Sequence, residues 1–561
     1  MSVHDARSAF FQDLPPPPDF YEVDRALHAE LKRRLSPAAA TLMAPRFEAL
    51  GRATADELPA LADEAERDPP RHVPYDAWGN RIDDIRVSPA WKQLKHFSAR
   101  HAVVATGYDV GLGAEARLAQ AVLLHLFSAS SATAMCPLAM TDAAARVLID
   151  VAPAPLRDRL VPRLTSTDPA TFITSGQWMT ERTGGSDVGG TSTLAHLNTA
   201  GTPEGDIYAL SGVKWFTSAT TSEMALALGR IEAQGQTTAG SRGLSLFCVD
   251  VEKIVGGGYR GLQVNRLKDK LGTRALPTAE LTLEGVHARL LGEPGQGVKN
   301  VSGMLNITRF YNAAAAASGM AQAVFRARAY SWKRNAFGAP LAAHSLHAHT
   351  LDNVEADAAG ALALVMELAV LIGRTEHAAA TGTGANDDDK RRLRALIPLA
   401  KLTTGKQVVS CVSECLECFG GAGYIEDTGM PRMLRDAQVL PIWEGTTNVL
   451  ALDVLRAEQK DRGFSAVIED LVTKAAALSS TLPSQANATL RDTVALLARR
   501  AAELAALGPR AIEEHARRLA LTAGFCVEAS LLAETAVVVG KDDCVKRYAD
   551  FVRYRLGGLL A

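Results

Sequence analysis

The chain changes texture twice. Before about residue 169 and after about residue 295, apolar residues recur at helical spacing, as in AEARLAQAVLLHLFSASSATAM. Between them lie short β-prone runs split by Gly, Asp and Thr, among them IYALSGVKWFTS, MALALGRI, LSLFCVDV and AELTLEGV. Alternation and turn residues at that spacing predict a small antiparallel β domain. Strand runs kept apart from helix runs predict segregated layers rather than a βαβ sheet. The expected fold is mainly α with a β insert. It comprises an extended N-terminal arm over 1–40, which carries Pro15 to Pro18, and a helical domain over 41–169. The β domain follows over 170–294, then a helical bundle over 295–456 and an additional helical domain over 457–561.

At 561 residues the chain can bury several cores without disulfide or metal staples. A formal net charge of −2 argues against a chain built mainly to coat nucleic acid or an anionic membrane. Seven cysteines, an odd number in no regular framework, point to a reducing compartment and free thiols. The first twenty residues carry acids and prolines early and lack the pattern of a signal or transit peptide. The last residues, GGLLA, are not the common peroxisomal tripeptide, so a cytoplasmic location is expected. No uncharged apolar run approaches ~20 residues, and no membrane span is expected.

Four segments carry candidate chemistry. In QWMTERTGGSDV (177–188), Gly184 and Gly185 allow close backbone approach to a ligand, and Thr180 and Ser186 can donate to a planar cofactor. Alone, the segment fits a polar turn equally well. In GVKWFTSA (212–219), an aromatic beside a hydroxyl on one strand can pack on a ring system or can simply fill a core. In WKRNAFG (332–338), Arg334 can neutralise a diphosphate or sit solvated on a helix. In LPIWEGTTNV (440–449), Glu444 follows an Ile-Trp pair, and a carboxylate in an apolar pocket suits proton abstraction. Thr446 and Asn448 then open a helix whose N-terminus can hold a phosphate. Alone, a Glu before a Gly is also an ordinary surface turn.

Taken together, these segments resemble the acyl-CoA dehydrogenase superfamily over about residues 40–456, and most of all its AidB-like branch. MTERTGGSDV, KWFTSA, RLKDKLGTRA, FGGAGY and IWEGTTNVLALDVLR carry the resemblance, and the long helical tail fits it. The resemblance implies FAD enclosed by two helical domains and a β domain. It places Met179, Thr180, Gly185 and Ser186 along the flavin ring, with Phe216 where the family usually has Trp and Ser218 where it usually has Thr. Arg334, Phe337, Glu417, Gly420 and Gly421 would hold the adenine dinucleotide of a neighbouring subunit, which implies a homo-oligomer, typically a tetramer. Thr446 and Asn448 would contact the FAD pyrophosphate. Glu444 matches the family's base, which removes the proton α to a thioester carbonyl while a β-hydride passes to flavin. Arg309, Tyr424, Trp443 and Gly445 are the candidate substrate contacts. The other position used for a base in the family is Thr308 here, before Arg309, and a threonine cannot serve. Glu rather than Asp at 444 argues against the nitroalkane-oxidising branch.

Two departures concern CoA. The family's usual Gln after the Arg-Phe-Gly motif is Ser345 here, and its usual Asp is missing from NITRF. The resemblance therefore carries the flavin further than the substrate, and the electron acceptor (an electron-transfer flavoprotein or oxygen) stays open. The alternative function is an AidB-like flavoprotein associated with DNA protection, with FAD mainly structural. Residues 456–561 hold 15 Lys/Arg against 13 Asp/Glu, so DNA binding would need Arg499, Arg500, Arg517, Arg518, Lys546, Arg547, Arg553 and Arg555 gathered on one face. An oligomerisation tail fits the Ala/Leu-rich pattern equally. Cys411, Cys415 and Cys418 have cluster-like spacing without the barrel context, and read as buried thiols. Gly111, Gly113 and Ala116 lack a βαβ unit around them. His344, His347 and His349 lack a supporting carboxylate, and no metal site is expected.

Overall fold

The computed structural model describes residues 16–254 and 257–558, and Pro15 with the fourteen residues before it lies outside them. The chain forms two compact units. One is residues 57–311; the other joins the stretch up to residue 56 to everything from residue 312 onward.

In the first unit, helices Glu57–Arg67, Pro89–Arg100, Ala116–Ser128, Met135–Val151 and Ala154–Leu164 precede the β domain. Helix Ala116–Ser128 is buried on every side. Arg117 and Asp142 meet at 2.8 Å in that core, and Gln120 and Tyr311 both donate to the Asp142 carboxylate at 2.7 Å. The pair is therefore enclosed by further hydrogen bonds, as a buried charge requires. The helical reading of 41–169 needs one correction, because a hairpin interrupts it: β1 (Arg71–Tyr75) pairs antiparallel with β2 (Arg81–Arg86). Its turn is set by Asp76, which accepts from the backbone of Trp78 at 2.8 Å and of Asn80 at 2.9 Å, an Asx turn that outweighs the helical spacing.

The β domain contains β3 (Ser175–Trp178), β4 (Leu194–Thr199), β5 (Ile207–Ser218), β6 (Met224–Ile231), β7 (Leu244–Asp250), β8 (Leu262–Leu267) and β9 (Thr278–Leu291). Pairings β4–β5, β5–β9, β9–β7, β7–β6 and β6–β4 close a ring. Among the described residues the sheet is mixed rather than wholly antiparallel, since β3 and β4 both run parallel to β6. Parallel pairing needs a long crossover, and the chain between β3 and β6 supplies one. Trp178, Phe247, Val264, Leu281 and Leu283 belong to the core of the domain.

The second unit is helical. Its long elements are Asn312 to Lys333 at the end of helix Gly297–Lys333, then Ser345–Thr381, Asp387–Cys418, Thr447–Asp461, Gly463–Ala476, Ser484–Ala506, Pro509–Val539 and Asp542–Phe551. Helices Ser345–Thr381 and Pro509–Val539 are long and apolar enough to cross a membrane, but their apolar windows are 94% and 72% buried inside the fold. The arm expected over 1–40 is extended only from Pro16 to Asp19 among the described residues. Helices Phe20–Val23, Arg25–Arg34 and Pro37–Ala53 follow, because Asp19, Asp24 and Ser36 each cap one by accepting a backbone N–H. These first helices fold onto the last ones: Arg33 pairs with Glu534, and Thr535 donates to Glu30 at 2.6 Å.

Candidate functional site

The candidate residues fall into two sets, one in each unit. In residues 57–311, Met179 is buried at the end of β3 and Thr180 follows it. The Thr180 carbonyl accepts from the Trp215 backbone at 2.9 Å, which joins MTERTGGSDV to GVKWFTSA. The loop after Thr180 is shaped by Glu181. Its carboxylate accepts from the Ser192 backbone and hydroxyl, both at 2.7 Å, from Thr193, and from Lys214 at 2.8 Å. Lys214 is 0% exposed. Burial pushes Glu181 up, but the Lys214 ammonium and these hydrogen bonds outweigh it and hold the carboxyl down at about 2. Sequence spacing did not show that Glu181 and Lys214 meet, although a charge in each of two β-domain motifs was a visible clue.

Around that anchor the loop is open. Arg182 to Asp187 are exposed, Gly184 has φ +115°, and a Cβ there would meet nothing within 4 Å. A Cβ at Gly185 would lie 2.5 Å from the Thr180 hydroxyl, so glycine is needed for that approach. Phe216 is 52% exposed, and the Ser218 hydroxyl lies 3.1 Å from that of Thr278. Lys268 sits 3.5 Å over the Trp215 ring and 4.6 Å from that of Phe216. Arg309 and Thr308 are buried in helix Gly297–Lys333.

In the second unit, Arg334 leads into a tight hairpin in which β10 (Asn335–Ala336) pairs with β11 (Ala339–Pro340). Phe337 lies at its tip with φ +52° and is 96% exposed. Helix Asp387–Cys418 carries Glu417 on an exposed last turn and gives way to the turn Gly420–Tyr424. Phe419 stacks on Tyr330 with centroids 4.3 Å apart, which ties FGGAGY to the helix that leads into Arg334. Gly420, Gly421 and Tyr424 are exposed, and a Cβ at either glycine would meet nothing within 4 Å.

Glu444 is partly buried at φ +56°, followed by Gly445 at φ +106°. Gly445 is glycine for that reason. Thr446 is the N-cap of helix Thr447–Asp461, is exposed, and makes no side-chain cap bond. The Lys401 ammonium donates to the Gly445 carbonyl at 2.5 Å. Asn312 holds the same loop by donating to the Leu440 carbonyl at 3.2 Å and accepting from the Trp443 indole. Asn448 accepts from Arg517 of the tail at 3.1 Å.

Other features carry none of the candidate flavin or substrate residues. A cavity of about 470 Å³ is lined by arginines and acids that pair with one another, such as Arg159 with Glu204 at 2.6 Å and Arg289 with Glu204 at 2.9 Å. Among the described residues no group of three or more His, Cys, Asp or Glu could hold a metal ion. Most of the tail's basic residues lie against acids: Arg499 and Arg500 against Glu503, Lys546 and Arg553 against Asp550, Arg547 against Asp543, and Arg555 against Asp357.

The donor set fits FAD. The open backbone at Gly184, Gly420 and Gly421 suits a ligand that must come close. The half-exposed Phe216 ring and the Ser218 hydroxyl suit a flat heteroaromatic group, and the exposed Arg334 suits a diphosphate.

Three family models match consecutive parts of the chain: "Adaptive response protein AidB N-terminal domain" over residues 16–169, "Acyl-CoA dehydrogenase, middle domain" over 176–286 and "Acyl-CoA dehydrogenase, C-terminal domain" over 295–458. Acyl-CoA dehydrogenase family member 11 of Caenorhabditis elegans is 39% identical over 98% of this chain and 89% of its own length. Putative acyl-CoA dehydrogenase AidB of Escherichia coli K12 is 32% identical over 82% of this chain and 80% of its own. The crystal structure of Caenorhabditis elegans ACDH-11 in complex with C11-CoA matches with a TM-score of 0.90 at 37% identity, covering 98% of this chain and 92% of that one. The chain belongs to the acyl-CoA dehydrogenase family, on its AidB-like side.

Proposed function

We propose that this protein oxidises an acyl-CoA, with Glu444 taking the proton α to the thioester carbonyl. The observation that carries the reading is the Glu444 turn. A glutamate at positive φ, partly buried between an Ile-Trp pair and a glycine, is a costly backbone state that persists only where its surroundings impose it. The backbone amide of Glu444 is the group proposed to polarise the thioester carbonyl, an oxyanion-type contact that makes the α-proton more acidic. FAD, when bound, would supply the acceptor for the β-hydride. Met179, Thr180, Gly185, Ser186, Phe216 and Ser218 would orient the flavin ring, and Arg309, Tyr424, Trp443 and Gly445 the substrate. Arg334, Phe337, Glu417, Gly420 and Gly421 would serve the adenine end of a neighbouring subunit's FAD in a homotetramer; the 96% exposure of Phe337 and 87% of Tyr424 supports a partner there. Because the nematode relative was crystallised with C11-CoA, an eleven-carbon acyl-CoA heads the substrate panel.

The test is an anaerobic absorbance titration of the purified yellow protein with acyl-CoA esters of graded length. Bleaching by an ester supports the reading, and Glu444→Gln should keep FAD while losing about 10²–10⁴-fold in bleaching rate. A yellow protein indifferent to every ester would reject the proposed reaction.

A further inference from the structure

Lys401 lies in helix Asp387–Cys418 and is 0% exposed. Taking an ammonium out of water costs several kcal/mol even after relaxation, so a buried lysine persists where it holds something in place. Its Nζ donates to the carbonyl of Gly445, the residue after Glu444, at 2.5 Å. Glu444 and Gly445 are consecutive positive-φ residues, a conformation disfavoured for glutamate. A peptide in that state keeps its direction only if neighbouring groups fix it.

The neighbours are on the same helix and opposite it. Gly405, one turn beyond Lys401, lets the helix approach the loop: a Cβ there would stand 3.2 Å from the Leu440 carbonyl oxygen and 3.3 Å from the Pro441 Cα. Asn312 grips the Leu440 carbonyl and the Trp443 indole from its own helix. Of these contacts, the bond from Lys401 is the one made to the residue that follows the base.

We infer that Lys401 is a positioning residue for Glu444: by holding the Gly445 carbonyl it sets the direction of the Glu444 side chain and amide. The inference rests on the reading of Glu444 as the base. Lys401 touches neither substrate nor cofactor in this role; it acts through the backbone.

The experiment uses full-length, FAD-loaded protein with Lys401→Met, Lys401→Gln and, as reference, Glu444→Gln. Hydrogen–deuterium exchange by mass spectrometry reads the backbone over residues 439–449. Stopped-flow bleaching by C11-CoA, or by the best ester of the panel, separates rate from affinity. Lys401→Met should raise exchange in 439–449 but not in the β domain, and slow bleaching about 100-fold, as a displacement of about 1 Å does, with the ester's Kd unchanged. Lys401→Gln keeps an N–H donor and should recover about tenfold of that loss. Unchanged exchange in 439–449, or bleaching at the wild-type rate, overturns the positioning role. If Lys401→Met does not fold, Lys401→Leu, which also lacks a donor, takes its place, and wild-type exchange and rate in it are equally fatal. A wild-type protein that no ester bleaches, or Glu444→Gln bleached as fast as wild type, shows instead that the base is misassigned, and the role of Lys401 falls with it.

Discussion

A glutamate and a lysine 33 residues apart fix the loop that carries the candidate cofactor contacts Gly185 and Ser186. Removing one partner of such a buried pair leaves the other charge stranded, at a cost of about 3–5 kcal/mol, so Glu181→Gln should melt well below wild type at neutral pH. The pH dependence follows from the direction of the shift. Glu181 titrates at about 2 in the fold against an ordinary 4.5, so its stabilisation is complete above about 4.5 and is lost as pH falls toward 2. Thermal melts of both proteins should therefore show a gap that is full at pH 5 and narrows toward pH 2. A gap independent of pH would mean that Glu181 is not the ionised partner. Both residues stand inside quoted motifs, yet neither was singled out from the sequence. Linear order gives two motifs, whereas their meeting depends on how the chain from β3 folds back onto β5.

Helix Asp387–Cys418 and the loop 438–446 form the element on which the Glu444 reading stands. The helix was legible from periodicity, and Glu444 from its apolar neighbours and the helix that follows. Lys401 was not, because a lysine in a helical run has the same spacing whether it is solvated or buried. Gly405→Ala tests the fit of this element. Alanine gains about 1 kcal/mol of helix propensity, while overpacking against Leu440 and Pro441 costs about 1–3 kcal/mol. The net is a destabilisation of about 0–2 kcal/mol, so the urea midpoint should hold or fall while the loop is pushed, and bleaching by acyl-CoA should slow; a wild-type rate would mean that the loop absorbs the methyl group freely. The hairpin β1–β2 escaped the sequence reading for a related reason. Its strands, RHVPY and RIDDIR, are too charged to look like strands, and the deciding feature is the Asx turn between them.

Over the whole molecule, the α–β–α order was readable because strand and helix periodicities differ, whereas the partnership of the two termini was not, since no periodicity reports contacts between ends of a chain. Arg34, beside the Arg33–Glu534 pair, ties the same N-terminal helix to helix Ser345–Thr381. It donates to Glu30 at 2.7 Å and to Glu367 at 2.6 Å. Burial pushes Glu367 up, but Arg34 and neighbouring cations outweigh it and hold its carboxyl at about 2. Arg34→Met removes one partner from two buried carboxylates that keep Arg33 and Arg392, and should cost about 1.5–3 kcal/mol. Limited proteolysis should then cut first among helices at the two ends of the chain, and a cleavage pattern like that of wild type would count against this account. The joined termini also impose an order on synthesis. Glu30 must wait for Thr535, 505 residues later. At roughly 5–20 residues per second that is about 25–100 s during which the first helices are made but lack their partners. For that interval the first helices lack the contacts that Glu30 and Arg33 make with helix Pro509–Val539 in the finished molecule.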